Sequence, residues 1–441
     1  MDVLTASEWA TQTWAQVALG DQRLTRRAVA IGAKMAADPA ASLPNQVEEP
    51  AALKAAYRML NHPAVSLENL TAPHRQHTLV AAGHVAHVLM VEDTTELDYT
   101  AHPGKTGLGP IGDGRGQGLL LHSTLAVVPD RRQVLGLAHV QVVRRQAKPK
   151  SHPHWSRSPE GRVWETSAQA VGRPPAGVVW IHVSDRGSDM FEYMAACLSL
   201  DKHFLIRAFH NRVLDWSESA PSVEADAPRH LFDAVRARPA EPGSAYLVSI
   251  PAREHQPARQ ACLALQWQRV TFAPPAQAPP TTRRSEPIRL CVLRAWEPDP
   301  PPNVEALEWI LLTSLPVTTG ADAHRLTEWY TCRWLCEDYH QCLKSGCRLE
   351  RTQLDAGNDV ERLLGFAAPI AVRLLQLRQA ARLLPDLPAE SVVDPLMVCL
   401  LARRQQTDGP TMTTEQFWRG VARLGGHQGR RRDGPPGWRT L

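Results

Sequence analysis

Long apolar runs are missing from this chain of 441 residues. The longest, residues 363–372, is about half of the roughly 20 residues that a membrane-spanning helix requires, so no membrane partner is expected. The opening stretch, MDVLTASEWATQ, has neither a basic segment nor an apolar one, which excludes the pattern of a secretory signal. Cysteine is sparse: eight in 441 residues cannot form a disulfide scaffold, and a reduced, cytoplasmic protein is the expectation. No internal repeat is seen. Net charge is small as well. The 49 basic and 45 acidic residues leave +4, compatible with a polyanionic partner without requiring one, so where the cations sit matters more than their number. What remains, 43% hydrophobic and 21% charged residues, is globular composition, and the length suggests about three domains.

The N-terminal part, 1–75, reads as helical. Asp21 is placed to cap a helix over residues 22–37 that ends at Asp38-Pro39. At 100° per residue, Leu24, Ala28, Ile31 and Met35 fall within about 60° of one another and make an apolar face. Arg23, Arg26, Arg27 and Lys34 fill a separate arc, and Lys54 and Arg58 form a further basic pair four residues apart. A one-sided basic stripe of this kind is either a solvated face or a face laid against phosphates.

From about residue 79 the pattern turns to strands. His87-Val-Leu-Met-Val-Glu-Asp93 is an apolar run ending in a carboxylate. Residues 119–128 and 133–143 are two more, joined by a hairpin turn at Pro129-Asp-Arg-Arg132. Val178-Val-Trp-Ile-His-Val-Ser-Asp185 repeats the first pattern, and residues 203–207 make a short further strand. Residues 144–157 form a basic, proline-bearing loop in which His152 and His154 are expected to be exposed rather than ligands. Residues 215–305 look like a β-rich insertion, with strand candidates at 244–250, 261–272 and 288–293 between proline-rich connections. Helices are expected over 321–345 and 358–384, a linker over 385–395, and a last amphipathic helix over 411–424. The fold class is α/β.

Asp93 and Asp185 both follow apolar strands directly, so both carboxylates are expected at strand ends. On the later helix, Tyr330, Arg333, Glu337 and Lys344 project within about 60° of one another, one narrow stripe. As a solvent face the stripe would be ordinary, with Arg333 and Glu337 an i,i+4 pair. Three carboxylates can also hold two divalent cations while neighbouring cations hold a phosphodiester, which is the set that two-metal phosphoryl transfer needs. Asp189 is expected to cap a helix rather than to approach a metal. Cys332, Cys336, Cys342 and Cys347 have a spacing that fits no standard zinc site and are expected to be buried thiols.

At these residues the chain resembles a known family. The pattern Tyr330-x2-Arg333-x3-Glu337-x6-Lys344 is similar to the signature of bacterial cut-and-paste DDE transposases of the insertion-sequence-four, transposon-five type. Val91-Glu-Asp93-Thr-Thr and Asp185-Arg-Gly-Ser-Asp189 resemble that family's two catalytic aspartate motifs. Ala18-Leu-Gly-Asp-Gln-Arg-Leu-Thr-Arg-Arg27 and Lys54-Ala-Ala-Tyr-Arg-Met-Leu-Asn-His-Pro63 resemble its N-terminal DNA-binding domain. Trp309, 21 residues ahead of Tyr330, matches a family tryptophan; Arg207 lies in the family's strand after the second aspartate; Val421-Ala-Arg-Leu-Gly-Gly426 resembles the start of its dimerisation region. The resemblance implies a helical DNA-binding domain over 1–75, a ribonuclease-H-like catalytic domain over 76–365 carrying the 215–305 insertion, and a helical C-terminal dimerisation region over 366–441.

By the same resemblance, Asp93, Asp185 and Glu337 are the catalytic, metal-binding triad for Mg²⁺ or Mn²⁺. Arg333 and Lys344 clamp phosphates, Tyr330 holds a phosphate or the terminal nucleotide, and Trp309 stacks on a flipped base. Arg207, Arg23, Arg26, Arg27, Lys54 and Arg58 contact DNA. The implied partners are double-stranded DNA, as transposon ends and as target, and a second protomer on that DNA. The implied place is the bacterial cytoplasm, at the nucleoid when DNA is bound. Two departures stand out: residue 187 is Gly where the family often has Glu, and the chain ends at Leu441, where the family continues into a long pairing helix. A monomer in free solution is therefore expected. The leading expectation is a transposase that nicks, forms a hairpin and joins the element to target DNA. The alternatives are a truncated copy that binds ends without productive pairing, and a nuclease of the same fold.

Overall fold

A computed structural model describes residues 4–146, 158–214, 228–250, 257–276, 278, 280–407, 411–430 and 436. The chain divides into two units: Met1–Val85 with Thr94–Lys150 and Leu335–Leu441, and Ala86–Asp93 with Ser151–Trp334. Strand β1 (His87–Asp98) contributes its first half to the second unit and its second half to the first.

In the first unit, helix Ala6–Trp14 starts at a capping box in which Thr5 and Glu8 satisfy each other's backbone N–H groups. Helix Gln22–Ala37 starts at Asp21, whose side chain accepts the Arg23 N–H. It buries Leu24, Ala28, Ile31 and Met35, the face read from the sequence. Gly32 completes that face for a steric reason: a Cβ there would lie 2.3 Å from the Trp14 ring. Helices Pro50–Leu60 and Leu67–Ala82 follow.

Strands β2 (Gly109–Ile111), β3 (Gly116–Val128) and β4 (Gln133–Val143) come next. β3 pairs antiparallel with β2 over its first residues and with β4 over the rest, across the turn expected at 129–132, where Arg132 takes φ +48°. β1 continues five residues past Asp93, and Tyr99 just beyond it donates its N–H to Gln117 of β3. Asp93 therefore sits inside a strand rather than at its end. The reason is local: Thr94 and Thr95 are β-branched and prolong the extended backbone.

The long helix Gly357–Leu383 packs on Leu67–Ala82 and β4. A helix not read from the sequence, Pro395–Gln405, joins Thr414–Leu424 in a small core of Val398, Leu401, Ala402, Met412 and Phe417, with Val421 against it. The last helix thus turns Phe417 and Val421 into this small core and leaves Leu424 exposed.

In the second unit, the strands are β5 (Val179–Ser184), β6 (His203–Arg207), β7 (Tyr246–Ile250), β8 (Arg259–Phe272), β9 (Ile288–Trp296) and β10 (Glu308–Thr313). β1, β5 and β6 run parallel, and β10, β9, β8 and β7 extend the array antiparallel from β6. The parallel strands read as near-continuous apolar runs because both of their faces are buried. The β-rich texture expected from 215 to 305 is present as β7 to β9 among its described residues. Among the described residues no helix is long and apolar enough to cross a membrane.

The helix expected over 321–345 is three pieces: Gly320–Thr331, Trp334–Gln341 and a π turn over Cys342–Gly346. Cys332 and Arg333 donate their N–H groups three residues back, to Trp329 and Tyr330, tightening the first helix out of α geometry. The Thr331 hydroxyl bonds the Glu328 carbonyl at 2.7 Å, the local competition that loosens helix ends. The uniform helical wheel thus fails at residue 332.

Candidate functional site

The parallel register pairs Val91 with Val183, which carried two residues further sets Asp93 level with Asp185 on neighbouring strands. Both are odd-numbered positions of their strands, so both side chains belong to one sheet face. On the opposite face, Glu92 and His182 are completely buried and joined by a hydrogen bond between Oε1 and Nδ1. The Tyr193 ring meets His182 edge-on at 6.2 Å, and burial together with the Glu92 charge pushes its phenol pKa well up. A polar cross-link therefore ties β1 to β5 just ahead of the two acids. The two polar letters in otherwise apolar runs were its signal in the sequence.

Each acid is held differently. Asp93 faces Arg333, with Nη1 3.2 Å from Oδ2 and both side chains mostly buried. Asp185 directly follows β5 and turns one carboxylate oxygen to accept the Gly187 N–H at 2.8 Å. Asp185, not Asp189, is thus the residue that caps a following helical turn. Asp189 is instead completely buried: Oδ2 accepts the N–H groups of Phe209 at 2.7 Å and His210 at 2.8 Å, and Oδ1 meets Arg212 at 2.6 Å. The expected cap is in fact a tie between the turn after β5 and the segment after β6.

Cations gather beside Asp185. Arg207 donates Nη2 to the Glu308 carbonyl at 3.1 Å. Burial lowers its pKa, the nearby Arg186 and Arg333 lower it further, and Tyr330 and Asp185 oppose them. A guanidinium keeps its charge under such pressure, so the group is a concentration of positive potential. The Tyr330 phenol is pushed up to about 12, chiefly by burial, and stays a hydrogen-bond donor at neutral pH. The half-buried Trp309 ring lies 5.7 Å from the Tyr330 ring, edge-on.

Glu337 and Lys344 lie in the first unit. Glu337 is half-buried on helix Trp334–Gln341. Lys344, in the π turn, reaches Glu350 at 3.6 Å. Cys332, Cys336 and Cys342 are buried and Cys347 half-buried, as expected of structural thiols. Among the described residues no group of three or more His, Cys, Asp and Glu side chains is close enough to hold a metal ion. In the N-terminal helices Arg23, Arg26, Lys54 and Arg58 are placed on the solvent side and Arg27 is half-buried, opposite the packed face. His152 and His154 lie outside the described residues. Sequence reasoning passed over Arg186 and Phe209, both exposed beside Asp185 and Asp189. The only signal for Arg186 was its place next to an acid already singled out, and Phe209 had none.

Two protein-family models match parts of the chain. Residues 6–65 match the family model for transposase DNA-binding, and residues 181–372 match the model for a transposase DDE domain. The second match begins inside β5 and contains Asp185, Arg207, Trp309, Tyr330, Arg333, Glu337 and Lys344, while Asp93 precedes it. DDE domains generally use divalent metal ions, and aspartate carboxylates are hard oxygen donors suited to them. With a transposase DNA-binding domain at one end and a DDE domain through its centre, the chain is a DNA transposase of the DDE class.

Proposed function

We propose that this transposase binds the ends of an insertion element, nicks one strand, closes a hairpin by attack of the freed 3′-hydroxyl on the opposite strand, and joins the element to target DNA. The observation that carries the reading is the parallel β1–β5 register, whose last pair Val91–Val183 lies two residues before Asp93 and Asp185, with Arg333 on one acid and Arg207 beside the other. Asp93, Asp185 and Glu337 are the proposed metal ligands. When bound, Mg²⁺ or Mn²⁺ supplies activation of the attacking oxygen and stabilisation of the leaving one. Arg333, Arg207 and Lys344 hold the phosphodiester, and their fixed charge favours the extra negative charge of the transition state. Tyr330, protonated at neutral pH, donates to a phosphate oxygen. Trp309 gives an extruded base a stacking surface, which a tight hairpin requires. Residues 6–65, with the cations of helix Gln22–Ala37 and Lys54 and Arg58, recognise the ends.

The test is strand cleavage of DNA carrying the element's ends by Asp93→Asn, Asp185→Asn and Glu337→Gln. Each variant should lose nicking while binding the same DNA as the parent does. Parental nicking by any one of them removes that residue from the proposed triad.

A further inference from the structure

Two hollows meet beside the β5 end. The larger, about 620 Å³, has Arg186, Gly187, Glu192, Phe209 and His210 in its lining. The smaller, about 220 Å³, is lined by Arg186, Arg207 and Arg236 with Phe209. Arg186 and Phe209 border both. The first has the size of an ordinary small-ligand pocket, and the second is too small for more than a compact group.

Phe209 is an unusual residue to find there. Its side chain is 59% exposed although it is large and apolar. Its backbone is fixed nonetheless, because its N–H and the next are both held by the completely buried Asp189 carboxylate. His210 packs edge-on against the ring at 5.1 Å. A rigidly mounted, solvent-facing aromatic face is a stacking platform, since the ordering cost has been met by the fold. Nor does Gly187 obstruct the cleft, having no side chain on its wall.

The cations divide by what they already hold. Arg212 is bound to Asp189 at 2.6 Å and Arg236 to Glu308 at 2.5 Å. Arg207 spends a donor on the Glu308 carbonyl. Arg186 is exposed and borders both hollows, one residue along the chain from Asp185. Together the hollows offer an aromatic face beside a cationic pit. Glu192 on the wall adds an acceptor suited to an exocyclic amino group.

We propose that these hollows are a nucleotide subsite separate from Trp309: an unstacked nucleotide of the strand being processed lays its base on Phe209 and its phosphate against Arg186. The inference rests on the transposase reading for the identity of the strand, and on the geometry alone for the binding of an unpaired nucleotide.

The probe is a fluorescent octamer of deoxycytidylate, titrated against the full chain without added metal, beside an octamer of abasic residues. Phe209→Ala should weaken binding of the cytidylate octamer about 5- to 150-fold, the range for losing one stacked base, and Phe209→Trp should restore it. The abasic octamer should bind the parent about as weakly as the cytidylate octamer binds Phe209→Ala. Arg186→Ala should lower the slope of log affinity against log salt by about 0.7, one phosphate contact on a single strand. Parental affinity in Phe209→Ala, or equal affinity of the parent for both octamers, overturns the subsite. Cleavage of end-bearing DNA, measured on the same preparations, separates the two claims. A parent that fails to cleave while Phe209→Ala loses octamer binding refutes the reaction and supports the subsite; cleavage with unchanged octamer binding does the reverse.

Discussion

Acidification from pH 7 to pH 5 should strip this protein of much of its stability through three histidines of the first unit. Burial is the leading cause for each: it lowers His74 to about 4, His139 to about 3 and His340 to about 3. Neighbouring charge adds to it, from His77 at His74, from Arg75 and His122 at His139, and from His122 and Lys344 at His340. Geometry supports the neutral form at His74, where Nε2 accepts the Leu137 N–H at 3.1 Å and has no lone pair left for a proton. A histidine kept neutral in the fold but free to protonate near pH 6.5 when unfolded contributes stability that is complete above pH 6.5. That stability is lost as pH falls from 6.5 towards the folded value. At pH 5, about 1.5 units below the unfolded pKa, each group costs about 2 kcal/mol, so the three together cost roughly 6 kcal/mol. Net stabilities are about 5–15 kcal/mol, so the effect is a large fraction of the whole. Carboxylates of ordinary pKa remain ionised down to pH 5, which isolates the histidines in this window. The assay is urea unfolding followed by fluorescence at several pH values between 7 and 5, on the parent and on His139→Gln and His340→Gln. Each substitution is expected to reduce the pH slope by about a third of the parent's, whatever it does to stability at pH 7. A parent as stable at pH 5 as at pH 7, or variants with the parental slope, would refute the reasoning.

Two further outcomes follow from the site and the N-terminal helices. Trp309→Ala should leave the first nick nearly intact and slow hairpin closure by about 5- to 150-fold, the worth of one stacked base expressed in that step; equal slowing of both steps would make the tryptophan a packing partner of Tyr330 only. Replacing Arg26, Arg27 and Lys54 by Ala should reduce the slope of log affinity for end DNA against log salt by about one for each phosphate no longer neutralised. An unchanged slope would make the stripe a solvated face.

The parts of the fold legible in the sequence were those written in repeating patterns. Leu24, Ala28, Ile31 and Met35 recur at helical spacing, and the helix buries them. The run 133–143 bounded by a turn became β4 to the residue. Elements that depend on single interactions were not legible. The break at residue 332 follows from a hydroxyl bonding a carbonyl three residues back, which no periodicity records. Pro395 closes the linker expected over 385–395 yet opens helix Pro395–Gln405, because proline at the first turn of a helix has no hydrogen bond to lose. The candidate site divides the same way. Asp93 and Asp185 could be read because they terminate apolar runs. Asp189 could not, because its partners Phe209, His210 and Arg212 are 20 to 23 residues away in the chain and meet it only once β5 and β6 lie side by side.

The pair Arg333–Asp93 shows what the site's resting electrostatics demand of the proposed reaction. Both side chains are mostly buried, at 11% and 16% exposure, so neither charge can be abandoned cheaply. Removing one partner of such a pair typically costs about 3–5 kcal/mol, because the other is left as an uncompensated charge. Turning Arg333 to a phosphate weakens its hold on Asp93 unless a cation takes its place, and a cation on Asp93 weakens that acid's hold on Arg333 unless a phosphate does. Separately, each exchange gives up the attraction between the two mostly buried charges; together, the exchanges replace it. DNA and a divalent cation are therefore expected to strengthen each other's binding, and linkage requires the coupling to be equal in both directions. The neighbouring arginines show why this falls to Arg333. Arg212 is paired with Asp189, Arg259 with Glu297, and Arg236 and Arg294 with Glu308. The guanidinium resting on Asp93 itself is the one whose partner the proposed reaction changes.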